Sequence, residues 1–206
     1  MESLTNPLLK VIDIQTISKE AKAINPDIKI VVDNTFCSPL ITSPLLLGAD
    51  VSLNSVSKFI GGHSDIIMGV LVFKDREYRK KVHFAAYTVG ANSSPFDCYL
   101  ALRGIKTLEL RIRQATKNAY HIAHFLEEQN SVEEVCYPGL KSNKYHELAL
   151  KQMRGFGGVV SFAIKGGKEQ VSKFLKACKL IIMATSLGGT ETLASSPKFM
   201  NVTACP

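Results

Sequence analysis

Two short apolar runs constrain this chain more than any other feature: IKIVVDNT at 28–35 and DVSLNSVS at 50–57. Runs this short and this rich in β-branched residues read as buried strands. Between them, SPLITSPLLLGA reads as a loop and a short helix closed by Gly48. Ahead of the first run, KVIDIQTISKEAKAI sets Val11, Ile14, Ile17, Ala21 and Ile24 at helical spacing, and NPD at 25–27 ends that helix. After the second run, IIMGVLVFKD reads as a third strand. Helices alternating with strands predict an α/β fold with a mainly parallel sheet. Such sheets gather ligands outside the carboxyl ends of their strands. Asp33 stands at that end of the first run, and Ser55, Ser57 and Lys58 at that end of the second.

The texture changes downstream. A long helical region runs on from GANSSPF, with a start signal at Ser94-Pro95 and a break expected at Gly104. Then come a helical YHELALKQM, a strand in GGVVSFAIKGG, a helix in EQVSKFLKACK and a strand in LIIMATSLGG. These elements suit a second, smaller α+β domain. The boundary falls near residue 110, dividing the chain into 1–110 and 111–206.

Composition excludes several classes of function. The 206 residues carry 25 Lys and Arg against 18 Asp and Glu, a net charge of +7, but acids interleave with the bases. With no Arg-rich block and no zinc-finger or RNA-binding signature, nucleic acid is not an expected partner. Cys37, Cys98, Cys136, Cys178 and Cys205 form no CxxC pair and are odd in number. They read as reduced thiols of a cytoplasmic protein. No apolar run is long enough to span a membrane, and the first residues lack the pattern of a signal peptide. The histidines, His121 and His124 included, show no metal-binding spacing, so no metal is expected.

Lys58 taken alone is a surface charge. Its neighbours Ser55, Ser57, Phe59, Ile60, Gly61 and Gly62 allow another reading. An amine just past a buried strand can form a Schiff base, and two hydroxyls beside it can hold a phosphate. Asp33, on the preceding strand, can face a ring nitrogen. Pyridoxal phosphate needs this set: an amine, an anion and phosphate donors. A helix cap or turn residue in DNT is the competing role for Asp33. The residues alone leave both readings open.

The segment DVSLNSVSKFIGGHSD resembles the lysine motif of the Cys/Met-metabolism family of pyridoxal-phosphate enzymes. ESLTNP, VVDNTF, LRGIKTLELR, PGLKSNKYHELALKQM and SLGGTETLASSP resemble further family segments in the same order, and the fit is best to the family's γ-lyases. The resemblance implies part of an aspartate-aminotransferase-like (type I) large domain over 1–110, followed by part of the C-terminal small domain. It implies that Lys58 carries the cofactor, Asp33 pairs with the pyridinium nitrogen, and Ser55 and Ser57 bind the phosphate. Asn6 would lie near the cofactor's 3-hydroxyl and the substrate carboxylate, and Ser186 would face the substrate. Thr185 stands where such γ-lyases often carry glutamate. Leu4 replaces a family proline, which is expected to loosen the loop that places Asn6. The implied reaction is γ-elimination of a sulfur amino acid such as cystathionine, giving cysteine, 2-oxobutyrate and ammonia, in a homo-oligomer. The family's upstream phosphate-gripping helix and stacking tyrosine have no counterpart here, nor has its late arginine, the last arginine being Arg154. A central fragment is therefore expected. The alternatives are a truncated, non-catalytic remnant and a related γ-synthase or methionine γ-lyase.

Overall fold

The computed structural model describes residues 1–197; Cys205 lies outside them. Helix α1 (Ile14–Ile24) begins where Asp13 accepts a hydrogen bond from the Thr16 N–H at 2.9 Å. It buries Ile14 and Ser18, with Ala21 partly covered, whereas Ile17 and Ile24 face solvent. The covered face therefore follows i, i+4, i+7 and takes in only part of the expected stripe. Ile14 packs with Ile30, Val32 and Ala49, which join α1 to the sheet.

Strands β1 (Val31–Asp33) and β2 (Val51–Ser55) pair in parallel, with Asp33 opposite Leu53. The short helix α2 (Ser38–Ile41) and a 3-10 turn at Pro44–Leu47 connect them, and Gly48 closes the turn with φ +101°. Strand β3 (Gly69–Phe73) pairs with β2 antiparallel, so the three-stranded sheet is mixed. The connection explains the direction of β3. A parallel return needs a crossover, usually a helix, that carries the chain back across a face of the sheet. The chain between Ser55 and Gly69 instead forms a tight π-turn at Val56–Ile60 and a short loop, which reverses it.

Helices α3 (Arg76–Thr88), α4 (Pro95–Ile105) and α5 (Leu108–Glu127) follow. Ser94 caps α4 by accepting from the Asp97 N–H. The break between α4 and α5 falls at Lys106-Thr107, not at Gly104, which lies buried in the last turn of α4. Gly104 abuts Gly61, whose carbonyl occupies the space a side chain would need. A close approach of backbones accounts for this glycine. Beyond α5, strand β4 (Val132–Cys136) pairs antiparallel with β5 (Ser161–Ile164), and helix α6 (His146–Gln152) lies between them in sequence. Helix α7 (Gly167–Ala177) leads to β6 (Ile182–Met183), which pairs in parallel with β7 (Leu193–Ala194).

The main core gathers Leu4, Leu9, Val11, Cys37, Ile41, Val56, Phe59, Ile60, Leu108, Ile112, Ala149 and Met153. It thus joins the first residues, the turn after β2, α5 and α6 into one apolar mass. Burying each larger aliphatic side chain contributes about 1.5–3 kcal/mol. Two of these residues, Phe59 and Ile60, directly follow Lys58, so core packing fixes the backbone beside the lysine.

Candidate active site at the strand ends

Lys58 occupies the middle of the π-turn, where its own backbone leaves helical geometry (φ −99°, ψ −128°). Val56, Phe59 and Ile60 are buried around it, while Lys58 is only partly covered. Its Nζ donates to Ser186 Oγ at 2.8 Å. Ser186 holds φ at +121°, a region that residues with a side chain rarely adopt. Backbone outliers of this kind collect at functional sites. Gly188, at φ +84°, makes the approach possible: a side chain there would overlap the Lys58 backbone and the Phe59 N–H. The late SLGG segment therefore lies directly on the lysine turn.

Asp33 ends β1, and one of its carboxylate oxygens accepts from the Thr35 N–H at 2.9 Å. Thr35 Oγ1 in turn accepts from the Ser55 N–H at 2.8 Å. Thr35 thereby links the ends of the two parallel strands. Ser57 Oγ accepts from the Met68 N–H at 2.9 Å and reaches the Met68 carbonyl at 3.4 Å. Its hydroxyl thus already braces the turn against the approach to β3. Asn6 is exposed on a loop pinned at its base: the Ser3 N–H donates to the Asp33 carbonyl, and the Asp33 N–H donates to the Met1 carbonyl, both at 2.8 Å. Leu4 stands in this loop as a core residue. Only 2% exposed, it packs in the main core and bridges to Val11. Thr185 is exposed beside Ser186.

The predicted residues therefore fall into grades of association. Lys58 and Ser186 touch directly, Asp33 and Ser55 are joined through Thr35, and Asn6 makes no direct contact with them, although the base of its loop is anchored at Asp33 by the Ser3 N–H. Cys37 is fully buried, and burial pushes its thiol pKa up, which keeps it an inert core residue. Among the described residues, no cluster of three or more His, Cys, Asp or Glu side chains could hold a metal.

The sequence profile of the Cys/Met metabolism PLP-dependent enzymes matches residues 1–206. The chain belongs to this family. It is 47% identical over 206 residues to a cystathionine gamma-lyase of Dictyostelium discoideum, covering 100% of this chain and 53% of that one. It is 46% identical over 200 residues to a cystathionine gamma-synthase of Mycobacterium leprae (strain TN), covering 97% of this chain and 51% of that one. Its fold superposes with a TM-score of 0.96 on a cystathionine gamma synthase from Xanthomonas oryzae pv. oryzae in complex with aminoacrylate and cysteine, at 39% identity, covering 100% of this chain and 53% of that one. The chain spans about half the length of the relatives it matches.

Two residues of this Cys/Met-metabolism chain join the site unannounced by the sequence. Thr35 was legible only as part of a DNT turn. Arg111 lies on α5 between the buried Leu108 and Ile112, and an arginine on an apolar helix face was the available signal. It donates from Nη1 to the Phe59 carbonyl at 2.5 Å, and from Nη2 to the Gly104 and Ile60 carbonyls at 2.7 and 3.3 Å. Burial pulls its guanidinium pKa down.

Proposed function

We propose that these residues form the cofactor half-site of a pyridoxal-phosphate-dependent carbon–sulfur lyase that eliminates at Cγ of cystathionine, yielding cysteine, 2-oxobutyrate and ammonia. The observation that carries this reading is the Lys58–Ser186 hydrogen bond in the turn that follows β2, the strand paired in parallel with the one that Asp33 ends. The donor set fits the cofactor. Lys58 offers an amine for the aldehyde, Asp33 an anion for the ring nitrogen, and Ser55 and Ser57 hydroxyls for the phosphate. When bound, pyridoxal phosphate supplies an aldehyde to the amine and an electron sink for charge at the substrate's Cα.

Each protein group then has a physical task. Ser186 accepts a hydrogen bond from the Lys58 amine and fixes its direction. The Lys58 amine would take the proton from the substrate's Cα and carry it to neighbouring atoms. Asp33, held by the Thr35 N–H, would pair with the ring nitrogen and keep a proton on it. Asn6 would donate to the substrate carboxylate, and Thr185 would border the substrate beside Ser186. A γ-synthase is the second reading, favoured by near-equal identities to a lyase and a synthase, 47% and 46%.

Pyridoxal phosphate is added to the chain, the imine is reduced with borohydride, and the modified peptide is mapped. Modification confined to Lys58, and its loss in Lys58→Ala, is the expected result; label spread over surface lysines overturns the reading. Ketoacid released from cystathionine, against none from an activated homoserine ester plus cysteine, separates lyase from synthase.

A further inference from the structure

We propose that Arg111 is the positioning residue of the lysine turn, holding the backbone that aims Lys58 at Ser186. The proposal rests on the reading above only in naming Lys58 as the reactive amine. A π-turn is a poorly bonded element, and its last carbonyls lack partners within the turn. Here the Gly61 and Gly62 N–H groups satisfy the Val56 and Lys58 carbonyls, at 2.7 and 2.8 Å. The carbonyls of Phe59 and Ile60, the two residues after Lys58, are taken by one guanidinium. The same group binds the Gly104 carbonyl at the end of α4, and its Nε binds Thr107 Oγ1 at 3.1 Å at the start of α5. One side chain thus fastens the turn to two helices. Gly104 and Gly61 lie in contact beneath it, and the guanidinium rests against Gly62. Together they leave no space for the turn to shift toward α4. Lysine cannot replace this arginine, because a single ammonium does not span three carbonyls on two elements.

Neither the contact geometry nor its test requires the cofactor. Arg111→Lys, Arg111→Gln and, as a control on the same helix, Arg113→Gln are compared with the parent chain by competitive acetylation with trace acetic anhydride. Labelling of Lys58 is divided by that of Lys80, an exposed lysine paired with Glu77. Far-UV circular dichroism reports whether each chain is folded. Release of the turn raises the Lys58:Lys80 ratio about tenfold in both Arg111 variants and leaves Arg113→Gln at the parent ratio. A folded Arg111→Gln chain at the parent ratio overturns the proposal, as does full restoration by lysine. Should both Arg111 variants fail to fold, hydrogen exchange on the parent chain decides. Gly61 and Gly62 amides that exchange only with global unfolding support the anchor; exchange by local opening refutes it. A chain that behaves as expected here yet forms no reducible adduct at Lys58 sinks the cofactor reading alone.

Discussion

Thr35 shows how little chemistry is needed to set a site. Its backbone N–H orients the Asp33 carboxylate and its hydroxyl holds the Ser55 N–H, so one small residue registers two strand ends. Valine has nearly the same shape but no acceptor. Thr35→Val therefore leaves a partly buried N–H unpaired and costs about 1–2 kcal/mol. Urea denaturation is expected to show a lower midpoint with an unchanged slope; an unchanged midpoint would show that Ser55 finds another acceptor. The sequence exposed the charged and nucleophilic members, Lys58 and Asp33, because those residue types are unusual at strand ends. Thr35 and Arg111 stayed hidden because their roles depend on which carbonyl or N–H stands opposite, and spacing along one segment does not encode that.

At the scale of elements, Asp50 ties α1 to the sheet. One oxygen pairs with Lys22 at 2.8 Å and the other accepts from the Ile30 N–H at 2.8 Å. Burial works against its ionisation, but the Ile30 bond and the Lys22 charge prevail and bring its pKa below 3.8. A carboxylate with a depressed pKa stabilises the fold at pH values above its unfolded pKa. That contribution is lost as pH falls through the folded value. Acid melts are expected to show Asp50→Asn and the parent chain converging below the ordinary carboxylate range, with the parent more stable by about 1 kcal/mol near neutrality. A gap that persists unchanged in acid would contradict this. Elements of this kind were readable in advance wherever local signals ruled: Ser94 capping α4, Gly48 closing its turn, Asp33 ending β1. The direction of β3 was not, because an apolar run reads alike in parallel and antiparallel pairing. What decides it is that residues 56–68 form a turn and a loop in place of a crossover helix.

At the scale of the whole molecule, large apolar side chains stand uncovered on one stretch of chain. Ile67 is 93% exposed, Phe84 71%, Val89 78% and Leu102 67%, and α3 buries no residue. We propose that the protein self-associates through such surface, since exposed apolar side chains seek cover. Light scattering after gel filtration is expected to give a mass of at least two chains that falls with Phe84→Glu; a monodisperse monomer opposes it. The lysine pair adds a consequence in time. Lys58 and Ser186 are separated by 128 positions. Closing so long a loop costs entropy that local contacts do not repay, and chains emerge from the ribosome amino end first. The β1–β2 unit can thus assemble early with its amine unattended, and the site acquires its geometry only when the last strands arrive. Reactivity is therefore a late property of this chain, gained after its architecture.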